Sequence, residues 1–373
     1  MDIAILGYGT VGKGVGEIIA SKTPGISVKR ILELPDRLTD PRMTSDYGDI
    51  LSDGAIELVV ECMGGIEPAH TFICQALSAG KHVVTSNKAV VAAHFAEFAQ
   101  LAADNGVSLY IEASVGGGIP WIAGIDKARR TDTISSFMGI MNGTTNYIVY
   151  SMDKAGSDFA DALRDAQEKG YAERDPSADI DGIDVANKTI ITASIAFDCP
   201  CVRDLPVTGI RNLSKRDMEL FAKHGRIVKL IGRGVQDAGR YAVAVEPMAM
   251  ETSSLEANVP ANFNLVTLVG DTVGELKFYG QGAGMLPTGN AVVQDVLDCA
   301  EGIRRSYDFS SGCTYDPDLL RSDYVLRTTA SVDAGEPYDE GMRLFRGLTA
   351  VEAKELLAAT IENDPAAIIV ALG

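Results

Sequence analysis

The chain has 373 residues, 46% of them apolar and 23% charged, which suits two or three domains and excludes a disordered or fibrous protein. Its 33 basic and 51 acidic side chains leave a net charge of −18, which repels phosphate backbones and anionic headgroups and sets aside nucleic acid and membranes as partners. Met1-Asp2-Ile3 leads into an apolar run without a basic stretch or cleavage site, and no segment is long and apolar enough to span a bilayer. The six cysteines show no CxxC pairs and no nearby histidines at metal-ligand spacing, so the expectation is a reduced, cytoplasmic protein.

In chain order, short apolar runs alternate with helical patterns. Asp2–Leu6, Ser27–Leu32, Ile56–Cys62, His82–Thr85 and Val107–Glu112 read as strands, Thr10–Ala20 reads as a helix, and helices end near Gly80 and Gly106. This order predicts an α/β, Rossmann-like doubly wound domain over residues 1–120. From Thr133 the pattern changes to longer strands and amphipathic helices: Ser135–Met141, Phe159–Lys169, Ile183–Phe197, Ile227–Gly232, Tyr241–Met248 and Val266–Phe278. A second α+β domain for substrate binding and dimerisation is expected over 121–286. The long apolar face of a helix near Asn290–Arg304 needs a cover, so the segment 287–305 is expected to return to the first domain. From about Ser306 a Ser/Gly/Asp/Pro-rich linker leads to strand-like Tyr324–Ser331, a helix at Val351–Thr360 and strand-like Ala367–Leu372. The tail, 306–373, therefore reads as a short β-α-β-like appendage for packing or oligomer contact.

Gly7-Tyr8-Gly9-Thr10-Val11-Gly12 matches GxGxxG directly after a strand and at the start of a helix. There the glycines permit a tight turn and close approach of a pyrophosphate to helix amides, making Gly7, Gly9, Thr10, Val11 and Gly12 candidate cofactor contacts. Glu33, at the end of the second strand, suits ribose hydroxyls and favours NAD, whereas nearby Lys29, Arg30 and Arg37 could serve the 2′-phosphate of NADP. Lys88 follows a strand and should project from the C-terminal edge of the sheet; by composition alone it is a surface lysine. In the acid-rich segment 170–188, Asp184 and Lys188 lie four residues apart. On a helix beginning near Gly182 they share a face, and apolar neighbours Ile183, Val185, Ala186 and Ile190 favour a buried pair over a solvated one.

The set Gly7–Gly12, Val84-Thr85-Ser86-Asn87-Lys88, Glu112–Pro120, Asn142-Gly143-Thr144-Thr145-Asn146-Tyr147, Gly170–Lys188 and Gly282-Ala283-Gly284 resembles the homoserine dehydrogenases over roughly residues 1 to 305. The resemblance implies reversible hydride transfer between L-homoserine and L-aspartate 4-semialdehyde with NAD or NADP, in the synthesis of threonine, methionine and isoleucine. It implies proton transfer by Lys188 and Lys88, and substrate held by Glu173 and Asp184 with Asp179 beside them. It further implies cofactor contacts at Gly64, Lys88, Gly170 and Gly284, a monovalent cation, usually sodium, on Glu112 and the carbonyls of Val115, Gly117 and Ile119, and a homodimer or higher homo-oligomer.

Glu33 departs from the family at a position where a basic residue is frequent, and the tail is too short for a full amino-acid-binding regulatory module. His70, His82, His94 and His224 match no motif and are read as surface or packing residues, and Trp121 as a core anchor. Two other readings remain open: a related dehydrogenase for another small amino-acid aldehyde, and a nucleotide-sensing scaffold without turnover. Glu173 with Asp184 weighs against the first, and Lys88 with Lys188 against the second.

Overall fold

The structure, a computed structural model, describes residues 1–309 and 311–373, so Ser310 of the expected linker lies outside the described residues. The chain begins with β1 (Asp2–Leu6), α1 (Thr10–Lys22), β2 (Ser27–Leu32), β3 (Met43–Thr44), α2 (Gly48–Leu51), β4 (Ile56–Glu61), α3 (Ala69–Ser78), β5 (His82–Thr85), α4 (Lys88–Asp104), β6 (Leu109–Tyr110) and α5 (Trp121–Ala128). It continues through β7 (Ile134–Ile140), α6 (Gly143–Ala155), α7 (Phe159–Glu168), α8 (Ser177–Ile180), α9 (Ile183–Ala196), α10 (Lys215–Lys223), β8 (Arg226–Asp237), β9 (Arg240–Glu251), β10 (Phe263–Gly270), β11 (Gly274–Gln281) and α11 (Met285–Ala300). The last elements are β12 (Thr314–Tyr315), β13 (Arg321–Arg327), β14 (Glu336–Asp339), β15 (Met342–Thr349), α12 (Ala350–Ile361) and β16 (Ile368–Leu372). Among the described residues no helix is long and apolar enough to cross a membrane.

Two compact units result. The first comprises Met1–Lys127, Ser194–Pro200 and Gln281–Ser311; the second comprises Ala128–Ala193, Cys201–Gly280 and Gly312–Gly373. The first is built on a parallel sheet with strand order β3-β2-β1-β4-β5-β6. Ile3, Ala4, Ile5 and Leu6 of β1 are all fully buried, as an unbroken apolar run requires when crossover helices cover both faces of the sheet. Strand order reverses between β1 and β4, so their C-terminal ends border the crevice where doubly wound sheets bind ligands. Helix α11 belongs to this core: Ala291, Val292, Val293 and Val296 pack with Ile3, Ile5 and Val15. Glycines let its backbone meet α1, since a Cβ at Gly14 would lie 2.6 Å from the Met285 carbonyl oxygen.

The second unit holds a mixed sheet with order β11-β10-β7-β8-β9-β16-β13-β15-β14, and β12 beside β9. Its centre is the hairpin of β8 and β9, registered from Arg226↔Glu251 to Asp237↔Arg240 and longer at both ends than its apolar middle predicts. Helix α9 lies close on β8 because residue 232 is glycine: a Cβ there would sit 2.3 Å from Thr189 Oγ1 and 2.9 Å from Val185 Cγ1. The single run expected over Val266–Phe278 is two strands, β10 and β11. The carboxylate of Asp132 holds the turn between them, accepting from Thr272 N at 2.7 Å and Val273 N at 2.9 Å.

The tail contains the expected strand, helix and strand, and also the hairpin of β14 and β15. The tail, expected as a short β-α-β-like appendage for packing or oligomer contact, adds strands to the second sheet, where β16 lies between β9, in parallel, and β13, in antiparallel. Polar groups reinforce the seam: Tyr324 donates to Glu246 at 2.8 Å, the same carboxylate accepts from Arg233, and Arg327 donates to Asp217 at 2.8 Å. Tyr324 and Arg327 lie 78 and 110 residues from their partners in sequence, which explains why the tail's attachment is not visible locally.

Lys229 of β8 is 1% exposed and donates to Asn146 Oδ1 at 2.9 Å and to the Val259 carbonyl at 3.0 Å. Burial pushes its ammonium down from 10.5 to about 8. Between those values the unfolded chain binds the proton that the folded chain has released, so stability must rise with pH there. The site should contribute a rise of about 1.4 kcal/mol per pH unit at most in that window. Urea unfolding of wild type and Lys229→Met across this window should show the slope only in wild type; parallel slopes would assign the pH dependence to other groups.

Candidate active site

In the first unit the glycine loop has no room for side chains where it turns. Gly7 has φ +85°, and a Cβ at Gly12 would sit 2.2 Å from the Gly7 carbonyl oxygen. Gly9 is the N-cap of α1, and a Cβ there would meet nothing within 4 Å. The first-turn amides of α1, including those of Thr10 and Val11, therefore present an uncapped, positively polarised end suited to a phosphate. Glu33 folds onto this loop, with Oε2 accepting from Tyr8 N and Oε1 from Leu34 N, each at 3.0 Å. Of the nearby basic residues, Arg37 lies 3.9 Å from Glu33, whereas Lys29 is paired with Asp53 at 2.8 Å.

Gly64 (φ +111°) follows β4 and leaves open space where a side chain would stand. Glu61, at the end of β4, is fully buried and accepts from Thr85 Oγ1 at 2.6 Å and Met63 N at 2.7 Å, tying adjacent strand ends together. Burial raises its pKa despite those bonds. Asn87 caps α4 by accepting from Val90 N and reaches back to donate to the Gly65 carbonyl at 2.7 Å. Lys88 is the first residue of α4 and is half-buried, not the exposed lysine that composition alone suggests. Gly284, with φ +129°, is the N-cap of α11.

The segment from Glu112 to Ile119 lies in the same unit. The Glu112 carboxylate accepts from Ile122 N at 3.0 Å and Ala123 N at 2.7 Å, at the start of α5, while its own amide donates to Asp295 at 2.9 Å. Burial pushes Glu112 up to about 7 and holds Asp295 well above the usual carboxylate range. Gly116 and Gly117 take φ +87° and +58°, turns that a side chain at 117 would block by meeting the Gly282 carbonyl carbon at 2.4 Å. Trp121 is fully buried, as a core anchor should be.

The second unit gathers the acid-rich segment around one asparagine. Asn142 caps α6 with its side-chain oxygen, which accepts from Thr145 N at 2.8 Å. Its Nδ2 donates to Asp179 Oδ1 at 2.6 Å and to Asp184 Oδ2 at 2.8 Å. The same Asp184 oxygen accepts from Lys188 Nζ at 2.8 Å, and Lys188 also donates to the Met141 carbonyl at 2.6 Å. Lys188 and Asp184 are 8% and 7% exposed, so the pair is buried as its apolar neighbours suggest. Thr144 Oγ1 donates to the Tyr171 carbonyl at 2.5 Å, holding the turn that contains Gly170 (φ +75°) beside α6. Glu173 lies beyond that turn with an exposed side chain; its backbone carbonyl accepts from Gln167, and it does not join the network of Asn142.

A family model described as "Homoserine dehydrogenase, NAD binding domain" matches residues 7–112, and one described as "Homoserine dehydrogenase" matches residues 120–297. The homoserine dehydrogenase of Synechocystis sp. is 41% identical over 325 residues, covering 83% of this chain and 75% of its own length. This chain belongs to the homoserine dehydrogenase family. A homoserine dehydrogenase from Corynebacterium glutamicum is 39% identical, over 80% of this chain and 72% of its own. The crystal structure of a homoserine dehydrogenase from Thiobacillus denitrificans superposes with a TM-score of 0.87 at 29% identity, covering 100% of this chain and 98% of that one. As a homoserine dehydrogenase the chain is an oxidoreductase with an NAD-binding domain, and the Rossmann order of its first sheet accords with that.

Asn142 is the residue at the centre of the Lys188 network that sequence reasoning leaves out, although it opens the Asn-Gly-Thr-Thr-Asn motif. Its signal was the pairing of a helix-capping residue with a downstream run of acids, which only the fold joins. The glycine loop supplies a direct test. Gly12→Ala should weaken NAD(H) binding by roughly tenfold or more, equivalent to at least about 1.4 kcal/mol, in titrations of nucleotide fluorescence on protein with an unchanged circular dichroism spectrum. Unchanged affinity would place the cofactor elsewhere.

Proposed function

We propose that the chain catalyses reversible, NAD(P)-dependent hydride transfer between L-homoserine and L-aspartate 4-semialdehyde. The observation that carries this reading is the buried network of Lys188, Asp184, Asn142 and Asp179. An ammonium has three N–H donors, and Lys188 uses two of them on Asp184 and Met141. The third can meet the substrate oxygen, and Lys188 exchanges its proton with that oxygen as the hydroxyl becomes a carbonyl or the reverse. Asp184 and Asn142 fix where the ammonium stands; Asp184, Asp179 and Glu173 offer carboxylates to the substrate's own ammonium group. Lys88 is assigned a second proton-transfer and cofactor-binding role at the ligand-binding edge of the first sheet.

Bound at the loop Gly7–Gly12 with contacts at Gly64 and Gly284, a nicotinamide dinucleotide supplies the hydride acceptor. Glu33 supports NAD slightly ahead of NADP, because its carboxylate suits ribose hydroxyls; Arg37 beside it is the group that would meet a 2′-phosphate. The open edge strand β11, with Tyr279 54% exposed and Val273, in the turn before it, 43% exposed, supports pairing with a second copy as a homodimer. Cytoplasmic residence fits six free cysteines.

Initial rates of L-homoserine oxidation should be measured with NAD and NADP in parallel, for wild type and Lys188→Ala. The variant should lose kcat by roughly 100-fold or more while retaining cofactor binding. Wild type that binds either nucleotide yet turns over neither homoserine nor the semialdehyde would remove the substrate assignment.

We also assign Glu112 and the carbonyls of Val115, Gly117 and Ile119 to a monovalent cation, sodium by preference. The donors are all oxygen, as a hard cation prefers, and burial disfavours the charged forms of Glu112 and Asp295, which a cation beside them would stabilise. Replacing sodium with tetramethylammonium at equal ionic strength should lower the melting temperature of wild type and leave that of Glu112→Gln unmoved. Equal shifts in both proteins would exclude this site.

A further inference from the structure

Read as sequence, the cysteines lack histidines at metal-ligand spacing. In the fold this is corrected, because His70 and Cys74 stand four residues apart on α3, on one helix face. Helix α4 runs beside α3 and brings Glu97 to the same place. His70 Nε2 lies 2.9 Å from Glu97 Oε2, Cys74 Sγ lies 3.6 Å from His70 Nε2, and Cys74 Sγ lies 3.8 Å from Glu97 Oε1. One ligand atom from each of the three falls within 4.8 Å of the others. His94 adds a second imidazole at the rim. Helix α4 is locally interrupted at His94 (φ −135°, ψ 18°), its Nδ1 lies 3.1 Å from Glu97 Oε2, and its ring centroid is 4.0 Å from that of His70.

We propose that His70, Cys74 and Glu97 form a site for a thiophilic divalent transition ion, Zn2+ by preference, with a water or His94 completing four-fold coordination. The spacing suits this ion. Tetrahedral zinc, with bonds of about 2.0 Å to nitrogen and oxygen and about 2.3 Å to sulfur, sets its ligands about 3.3 to 3.5 Å apart. The Cys74 sulfur stands 3.6 Å from His70 Nε2, and one Glu97 oxygen lies 2.9 Å from that nitrogen while the other lies 3.8 Å from the sulfur, so a rotation of the Glu97 carboxylate and small side-chain adjustment reach it. The outer partner is also in place: Glu67 Oε1 lies 3.0 Å from His70 Nδ1. A carboxylate on the far nitrogen fixes the tautomer that presents Nε2 to a metal and raises its basicity. Thiolate, imidazole and carboxylate together select zinc over magnesium or calcium.

Binding balances in protons. The ion takes the sulfur lone pair as the Cys74 thiol releases its proton to solvent, and it takes Nε2 of His70 in place of the proton shared with Glu97. Each candidate ligand is half-buried or exposed, so an ion can reach the cluster from solvent. None of the three belongs to the residues assigned to homoserine or the nicotinamide, so the site is independent of the catalytic reading. Its physical effect would be to cross-link α3 to α4, the helix whose first residue is Lys88.

The probe is Zn2+ itself, titrated into the full-length protein against a chromophoric chelator, with Co2+ as the spectroscopic substitute. Wild type should bind one ion per chain, raise its melting temperature with Zn2+, and develop a thiolate-to-cobalt charge-transfer band. Cys74→Ser should lose that band, and His70→Ala and Glu97→Gln should each weaken Zn2+ by roughly tenfold or more. Glu67→Gln, which touches no ion, should weaken it by roughly tenfold through the His70 ring alone. Metal-free melting curves of the variants matching wild type would establish that they fold. Absence of stoichiometric binding, or a wild-type affinity that survives Cys74→Ser and His70→Ala, overturns the proposal and leaves the cluster an ion-paired surface patch.

Discussion

The second unit is organised by the need to keep a buried ammonium among oxygens. Taking Lys188 out of water costs several kcal/mol unless its charge is matched and its protons are received. Asp184 supplies the charge, Met141 a carbonyl, and Asn142 prevents the carboxylate from turning away. Because the oxygen of the same asparagine amide caps α6, the start of one helix and the polar face of another are set by a single planar group. Helix α9 can approach the sheet closely enough for this only because Gly232 presents no side chain. The constellation is thus part of the architecture, and its polar groups are oriented by the fold itself.

The first unit was largely legible in the sequence because its signals are local. Buried parallel strands write themselves as unbroken apolar runs, and GxGxxG between a strand and a helix states its own geometry, as the contact between Gly12 and the Gly7 carbonyl illustrates. Lys88 could be placed because a strand and a capping asparagine precede it. The second unit was legible only in part. The middles of β8 and β9 contain Lys229, Arg233 and Glu246, which look solvated in sequence and are strand interior because Asn146, Val259 and Tyr324 satisfy them from afar. The hairpin of β14 and β15 is polar and turn-rich, and its partner β13 gives no local sign of it. Glu173, equally conspicuous as an acid in the motif-rich segment, stands apart from the buried network, so sequence density alone did not distinguish the acids that meet from those that do not.

The two units treat charge in opposite ways. Around Lys188 a cation is matched by acids and amides, whereas Glu112 and Asp295 are two acids buried near each other and pushed toward their neutral forms. Arg305 relieves the second case only partly: it lowers both pKa values but is itself bound to Asp126 at 3.0 Å and Asp298 at 2.7 Å. An acidic protein of this kind can therefore contain both a prepaired cation and a pair of buried carboxyls held toward neutrality, a distinction that the net total conceals.

The placement of β16 inside the second sheet has a consequence for biosynthesis. This strand lies between β9 and β13, so the sheet cannot close until translation has passed Leu372, although β9 itself ends at Glu251. The first unit likewise waits for α11 to cover α1. Neither unit can finish folding as its early strands emerge from the ribosome, and each must hold apolar sheet surface open while later segments are made. A nascent chain with that delay presents unpaired strand edges for longer than a fold assembled from contiguous halves, and is the kind of client that chaperones shield.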